Sequence, residues 1–371
     1  MSSKEKVAFI LGAGFSKCAG IPVQAEFSNL ILSDFSGSEV DKQISKTIKT
    51  FLSDIYGWSD GDPIPGLEDI FTNIDLSAGT GHHLGIKYKP NLLRAFRRML
   101  IYRVFQIIDF KYTHSMEIET LLRYYQRFDC SFVVLNWDIV LENHLRSVFP
   151  DLVIDYGIQA TDWNDLPRPI NPIKISIYKM HGSSNWAYCE NCKEIYYQVD
   201  EKLPLRTKVG LIKSDFRLFN QKFSNKYFDT DVSLPHSQRQ CKSCNNSLST
   251  HIATFSFRKS FRTSAYPAIW SAAEKSLSEA SKWIFIGYSL PEADFELKHL
   301  LKTAELQKRH KIRNKKLDRK IEVVTRTDPW TKSKYEALFG KKNISIIGTG
   351  LSGYVASLAA TTIATPGHAL T

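Results

Sequence analysis

One glycine turn and three polar clusters carry the residue types that could do chemistry in this 371-residue chain. The turn is Gly12-Ala13-Gly14, and the clusters are Asn136-Trp137-Asp138, His181-Gly182-Ser183 and Gly287-Tyr288-Ser289. Each segment follows a short apolar run that predicts a β-strand. The carboxyl ends of parallel strands share one edge of a sheet, where open α/β folds bind their ligands. We therefore expect the four segments to converge on one crevice.

The glycine turn predicts a phosphate-binding loop. Gly12 and Gly14 permit a tight turn and a close backbone approach, and the amides that begin the following helix favour a pyrophosphate. Because the third glycine of the usual dinucleotide motif is absent, a purely structural turn is the alternative. The residues expected to hold the pyrophosphate and the adjoining ribose, or to shape the wall beside them, are Gly12, Ala13, Gly14, Ser16, Ile21 and Pro22.

Asn136 and His181 are the candidate catalytic residues. An asparagine amide offers donors and an acceptor without charge, so Asn136 could hold a water or the hydroxyls of a ribose. A neutral imidazole accepts a proton near pH 7, which suits His181 to act as a general base. Asp138 is expected to cap the helix that follows it, to contact the ligand, or to do both.

The late cluster predicts a further ligand contact. Gly287 and Ser289 are expected to contact a ribose or a phosphate. The segment is not the nucleophile elbow of hydrolases, because Pro291 stands where that motif has its second glycine. Asp294 closes the same motif.

Two Cys-x-x-Cys pairs predict a metal site. Their four thiolates suit tetrahedral structural zinc and leave no open position for catalysis. The four residues are Cys189, Cys192, Cys241 and Cys244. Free thiols or a degenerate ribbon are the alternative, because the segment between the pairs is long and rich in lysine. The other two cysteines, Cys18 and Cys130, are expected to be small buried side chains.

The elements that must position these residues are short strands separated by segments of helical length. Six apolar runs predict a parallel sheet buried on both faces, namely 7–11, 132–135, 177–180, 283–286, 321–325 and 344–347. The expected fold class is α/β, a Rossmann-like doubly wound parallel sheet with a helical insertion and a zinc-ribbon insertion. Residues 91–110 have the pattern of an amphipathic helix, with Arg94, Arg97 and Arg98 on its solvent face.

The predicted organisation is one Rossmann-like domain in three parts with two insertions. The three parts are residues 1–33, 130–185 and 251–371. A helical module, residues 34–129, is expected to lie over the nucleotide site, and residues 186–250 form a zinc-ribbon-like insertion. Both insertions are candidate surfaces for regulatory contacts.

The order of the motifs resembles that of sirtuins. A Gly-Ala-Gly-x-Ser turn near Gly-Ile-Pro, then Asn-x-Asp, His-Gly, two Cys-x-x-Cys pairs and a late Gly-x-Ser follow one another over most of the chain. The resemblance implies that NAD+ is the ligand, that Asn136 and His181 are catalytic, and that the cysteines hold structural Zn2+. It also implies that Asp138 accepts from the nicotinamide amide. The Gly-Tyr-Ser-Leu-Pro form of the late motif is closer to bacterial sirtuin-like defence proteins than to deacylases.

The chain departs from sirtuin deacylases at two segments that the resemblance implies are peptide-binding elements. Val23-Gln24-Ala25-Glu26-Phe27 stands in place of Asp-Phe-Arg, and residues 251–259 contain no Phe-Gly-Glu. The leading hypothesis is therefore an NAD+ glycohydrolase that depletes NAD+ in bacterial anti-phage defence. The alternatives are an NAD+-dependent protein deacylase and a non-catalytic subunit that binds NAD+ or ADP-ribose in a nucleic-acid-associated complex. The basic run 308–316 supports the last of these, although a solvated loop or helix end is the preferred interpretation of such a run.

Composition bounds the location and the partners. The net charge of +11 suits anionic ligands, and 43% hydrophobic residues fit a folded chain rather than a disordered one. No stretch reaches the length of a membrane span and no signal peptide is recognised, so a cytoplasmic protein without membrane contact is expected. Because an unregulated NAD+ hydrolase would harm its host, we expect a homo-oligomer or a partner defence protein, such as a helicase/ATPase or an Argonaute-like subunit.

Overall fold

The computed structural model describes residues 4–158, 160–162, 170, 172–189, 191–197, 211, 213–220, 240–246, 248, 265–292, 294–311, 319–326 and 328–363. Its strands are β1 (Lys6–Leu11), β2 (Asp129–Val134), β3 (Leu152–Asp155), β4 (Ala160–Asp162), β5 (Ile173–Lys179), β6 (Trp186–Tyr188), β7 (Ile195–Tyr197), β8 (Lys282–Ile286), β9 (Lys320–Val324) and β10 (Ile344–Ile347).

The helices surround and connect these strands. They are α1 (Ala13–Ser16), α2 (Gln24–Leu30), α3 (Glu39–Tyr56), α4 (Leu67–Thr80), α5 (Pro90–Lys111), α6 (Met116–Tyr125), α7 (Val140–Val148), α8 (Lys213–Arg217), α9 (Ala265–Glu279), α10 (Phe295–Lys311), α11 (Pro329–Phe339) and α12 (Gly350–Ile363). Among the residues described, no helix is both long and apolar enough to cross a membrane.

Seven of the strands form one parallel sheet in the order β10-β9-β8-β1-β2-β5-β3. The chain moves from β1 to β2 on one side and returns to β8 on the other, so right-handed crossovers place the connecting helices on opposite faces. Apolar side chains of β1 are almost fully buried, as a strand covered on both faces requires. The expected doubly wound α/β fold is confirmed.

All six predicted strands are present in this sheet, and the seventh, β3, was not predicted. The strands also end together. Leu11 at the end of β1 lies opposite Val134 of β2 and Ile286 of β8. Ile286 in turn faces Val324 of β9. The segments that follow these strands therefore start at the same edge.

Between β1 and β2 lie the helices α3 to α6, and α5 covers the amphipathic stretch predicted for residues 91–110. Two of its predicted solvent-facing arginines form ion pairs instead. The Nε of Arg97 lies 2.8 Å from Asp75 of α4. The Nε of Arg98 lies 3.0 Å from Asp215 of α8. Outward positions on this helix therefore fasten it to neighbouring helices.

A second, small sheet has the order β4-β7-β6, and β6 and β7 fall within the second predicted insertion. β6 and β7 are antiparallel, and β4 pairs parallel with β7. The boundary predicted at residue 186 leaves out β4, which belongs to this small sheet by its hydrogen bonds. Cys189 and Cys241 lie in a small apolar cluster of their own beside Tyr196 and Leu248.

Candidate functional site

A cavity of about 590 Å³ lies at the carboxyl edge of the large sheet, within the size range of small-molecule sites. Segments that follow β1, β2, β5, β8, β9 and β10 line it. The structure brings together seven of the residues predicted for the site, namely Gly12, Ala13, Gly14, Asn136, His181, Gly287 and Ser289. Four others do not belong to its wall: Ser16, Ile21 and Pro22 are buried behind it, and Asp138 lies at the start of α7.

The glycine turn is packed backbone to backbone against the turn after β8. The Gly12 amide donates to the Ile286 carbonyl at 3.0 Å, and the Gly14 amide donates to the Gly287 carbonyl at 2.9 Å. A Cβ atom on Gly12 would lie 2.6 Å from the Gly287 oxygen. This contact explains why glycine is needed at Gly12 and Gly14, but it uses the two amides that were expected to bind a pyrophosphate. Because they have no side chains, the two glycines leave space open in the cavity.

Asn136 is fixed by the same turn. Its Nδ2 donates to the Gly12 carbonyl at 2.9 Å and to the Ser16 hydroxyl at 2.8 Å. Since a carbonyl oxygen can only accept, the NH2 end of the carboxamide must face the turn. Ser16 therefore acts from behind the wall, where it orients Asn136.

His181 is oriented by the backbone of β2. Its Nδ1 lies 3.0 Å from the Leu135 carbonyl, which only accepts, so Nδ1 carries the proton in the neutral ring. Nε2 then holds the lone pair that a general base needs. Gly182 has φ of +82°, a left-handed conformation that lets the chain turn immediately after the histidine. His181 and Asn136 line the same cavity.

Asp138 lies one residue before the N-cap position of α7, which is Ile139. Its Oδ1 accepts from the Val140 amide at 3.1 Å at the start of α7, and only 5% of the residue is exposed. Its carbonyl accepts from the ammonium of Lys179 at 2.5 Å. Asp138 thus binds the first amide of the helix without being its N-cap, and a contact with the ligand stays a prediction.

The segment after β8 is held by two tyrosines. The Tyr288 hydroxyl donates to Asp294 at 2.9 Å, and the Tyr335 hydroxyl donates to the Tyr288 carbonyl at the same distance. Burial and the Asp294 charge raise the pKa of Tyr288 well above its usual value, so it stays protonated as the donor. Ser289 is exposed and lines the cavity.

The cavity wall also contains charged residues that were not predicted for the site. Glu68 enters from the first turn of α4 and accepts from the Gln24 amide at 3.2 Å. Lys17 pairs with Glu26 at 2.5 Å, and this hydrogen bond lowers the pKa of that carboxyl. Arg326 follows β9. Nothing in the spacing of the sequence indicated that α4, which carries Glu68, reaches the cavity.

The four predicted metal ligands form one cluster. The Sγ atoms of Cys189, Cys192, Cys241 and Cys244 all lie within 4.8 Å of one another. Zinc bound by four thiolates at its usual bond length would space the sulfur atoms by about 3.8 Å, so the cluster suits a structural Zn2+.

The backbone around the two cysteine pairs supports the same conclusion. The Lys193 amide donates to the Cys189 carbonyl, and the Asn245 amide donates to the Cys241 carbonyl, both at 2.8 Å. Lys193 and Asn245 both have positive φ, at 62° and 58°. The two pairs thus form matching turns, and the Cys192 amide donates to the Cys189 sulfur at 3.4 Å, which favours a thiolate.

Several solved structures match this chain at low similarity. A Sir2 homologue in complex with NAD matches at 12% identity and a TM-score of 0.44, covering 97% of this chain and 90% of its own. A Sir2 protein bound to a propionylated peptide matches at 13% identity and a TM-score of 0.41, covering 98% and 95%. No protein-family model matches the sequence, and no curated protein matches it. At this similarity the matches carry no argument about function.

Proposed function

We propose that this protein is an NAD+ glycohydrolase, which cleaves the bond between nicotinamide and ribose to give nicotinamide and ADP-ribose. The observation that carries the proposal is the pairing of Asn136 and His181 on one cavity, each held by a backbone carbonyl in a defined orientation. The motif resemblance to sirtuins, with Asp-Phe-Arg and Phe-Gly-Glu missing, supports hydrolysis over deacylation.

The two side chains suit the capture of a ribosyl cation by water. Nicotinamide leaves as a neutral molecule, so no general acid is needed, and the sugar passes through an oxocarbenium-like state. The Nε2 of His181 would take the proton of the attacking water. With Nδ2 committed to the glycine turn, the Oδ1 of Asn136 is the atom that would accept from that water or from a ribose hydroxyl. The balance is NAD+ and water giving nicotinamide, ADP-ribose and a proton.

The charges around the cavity fit the remaining parts of NAD+. Lys17 and Arg326 lie on the wall and would favour the pyrophosphate. Of the two described acids on the wall, Asp294 accepts from Tyr288. Glu68 is the other, and we propose that its carboxylate stabilises the positive charge that develops on the ribose.

The test is nicotinamide release from NAD+ by the purified full-length protein. Turnover without any acylated peptide is expected, and Asn136→Ala and His181→Ala should each reduce it by at least about a hundredfold, as loss of a general base does. His83→Ala, an exposed histidine far from the cavity wall, is the matched control and should retain full activity. Unchanged turnover in both site variants would overturn the assignment.

NAD+-dependent deacylation is the second candidate, because the four-cysteine cluster expected of a sirtuin zinc ribbon is present. The replacement segment at Val23 to Phe27 forms the start of α2, and Val23 and Gln24 line the cavity. Residues 251–259 lie outside the described part of the chain. Nicotinamide release that depends on an acylated peptide would favour this candidate, whereas release from NAD+ alone favours the hydrolase.

The biological role that we propose is NAD+ depletion in anti-phage defence, gated by self-assembly or by a partner such as a helicase/ATPase or an Argonaute-like subunit. This proposed biological role rests on the motif resemblance to sirtuin-like defence proteins. The basic run 308–316 begins within α10, which ends at Lys311, and its remainder lies outside the described residues. A non-catalytic, nucleic-acid-associated role therefore remains the third candidate, and salt-sensitive binding of DNA that is lost when this run is neutralised would support it.

A further inference from the structure

A buried ion pair lies immediately behind the candidate site. Lys179 ends β5, two residues before His181, and its side chain is 0% exposed. Its Nζ lies 3.4 Å from the Glu142 carboxylate of α7, which is 2% exposed. The same Nζ donates to the Asp138 carbonyl at 2.5 Å.

Stability alone does not explain this pair. Removing two charges from water is costly, and an apolar pair of similar volume often stabilises a fold as well or better. Burial raises the pKa of Glu142, and the neighbouring Lys179 charge opposes that rise. An ammonium held in this place needs a reason beyond packing.

Residues at and after the end of β5 hold the loop that follows β2 by hydrogen bonds to its carbonyls. The Met180 amide donates to the Val134 carbonyl at 3.0 Å, and the Ser184 amide donates to the Trp137 carbonyl at 2.7 Å. His181 and Lys179 contribute the other two contacts, to the Leu135 and Asp138 carbonyls. These four contacts reach the carbonyls of residues 134, 135, 137 and 138, on both sides of Asn136 in the loop after β2. Lys179 makes the last contact along this loop.

We propose that Lys179 is a positioning residue that fixes Asn136 relative to His181. Its charge-assisted bond to the Asp138 carbonyl closes the loop on the far side of Asn136, and the Glu142 carboxylate, 3.4 Å from the ammonium, helps to hold it there. Without this contact the loop can move, and the Leu135 carbonyl that sets the His181 tautomer moves with it. Only the expected change in kcat rests on the proposed function, whereas the positioning of Asn136 and His181 does not.

The test compares Lys179→Met with Lys174→Met, a matched control on the same strand. Lys174 forms an exposed ion pair with Asp155 at 3.0 Å, so its loss should change nothing at the site. A misplacement of about 1 Å can reduce turnover about a hundredfold, so Lys179→Met should lower kcat by about ten- to a hundredfold while KM for NAD+ changes little. Lys179→Arg, which keeps the charge and donors, should restore part of kcat.

A second readout does not depend on turnover. Nitrogen-15 NMR of labelled histidines, with His181→Ala used for assignment, reports which ring nitrogen carries the proton. Wild type and Lys174→Met should show Nδ1 protonated, and Lys179→Met should show a mixture of tautomers. If the wild type releases no nicotinamide, the proposed function fails while this measurement still tests the positioning.

Two results would overturn the inference. A folded Lys179→Met protein with wild-type kcat and an unchanged His181 tautomer refutes it. If that variant does not fold, Glu142→Gln replaces it, because the amide keeps the shape and removes only the negative charge that faces Lys179. That variant should show a smaller change in the same direction, and wild-type values for it would refute the inference as well.

Discussion

Replacing Gly287 by alanine should strongly destabilise the protein. Gly287 has φ of +64°, and an added Cβ would lie 2.3 Å from the Gly14 carbonyl carbon and 2.3 Å from the Phe15 nitrogen. The left-handed conformation alone costs about 1 to 2 kcal/mol with a side chain. The overlap with backbone atoms, which must separate by about 1.2 Å to reach an ordinary contact of about 3.5 Å, adds about 1 to 3 kcal/mol.

A matched control separates these two costs. Gly57, at the end of α3, has φ of +65°, but an added Cβ would meet nothing within 4 Å. Gly57→Ala should therefore lose only the conformational cost of about 1 to 2 kcal/mol, whereas Gly287→Ala should lose about 2 to 5 kcal/mol. Urea unfolding followed by tryptophan fluorescence gives both free energies. Equal losses for the two variants would refute the close contact between the first turn and the turn after β8.

Three further outcomes are expected. Glu68→Gln should lower kcat for nicotinamide release by about tenfold or more, because it removes the carboxylate proposed to stabilise the positive charge on the ribose. Asp69→Asn, an exposed position on the same helical turn, should leave kcat unchanged. Equal effects of the two variants would remove Glu68 from the mechanism. Burial raises the pKa of Cys18, so iodoacetamide should label this thiol more slowly at pH 8 than it labels a free thiol, and the labelling rate should increase with pH. Because Cys18 lines the cavity, NAD+ should slow the labelling further. A labelling rate that NAD+ does not change would place the ligand elsewhere. Purified protein should contain one zinc per chain by elemental analysis, and Cys241→Ser should lose the metal and lower the Tm; a metal-free protein of unchanged Tm would exclude a structural role.

The parts of the fold that could be predicted are those with a local signal. Apolar runs rich in β-branched residues located six strands of the sheet, and a parallel sheet then brought the polar clusters to one edge. β3 (Leu152–Asp155) was missed, although β10 at the opposite edge of the sheet is equally short and was predicted. Runs of four residues are too short for periodicity to distinguish a strand from a loop.

Features that depend on distant partners could not be predicted. Arg103 is fully buried in the middle of α5, where it donates to the Ser33 and Asp41 carbonyls. An arginine in an amphipathic helix is ordinarily assigned to solvent, and only the tertiary structure supplies these acceptors. The same holds for Glu68, whose place on the cavity depends on how α4 packs, and for the amides of Gly12 and Gly14, whose acceptors follow β8.

The contact between the first turn and the turn after β8 has a consequence for synthesis of the chain. β1 is the central strand, yet its neighbours on the two sides begin at residues 129 and 282. Contacts this distant in sequence form late, and a chain that is still on the ribosome holds β1 without one of its partners. The cavity wall cannot be complete until the last third of the chain has emerged. A copy that ends before β8 therefore cannot assemble the cavity wall, so the proposed activity would require synthesis of the chain through these late segments.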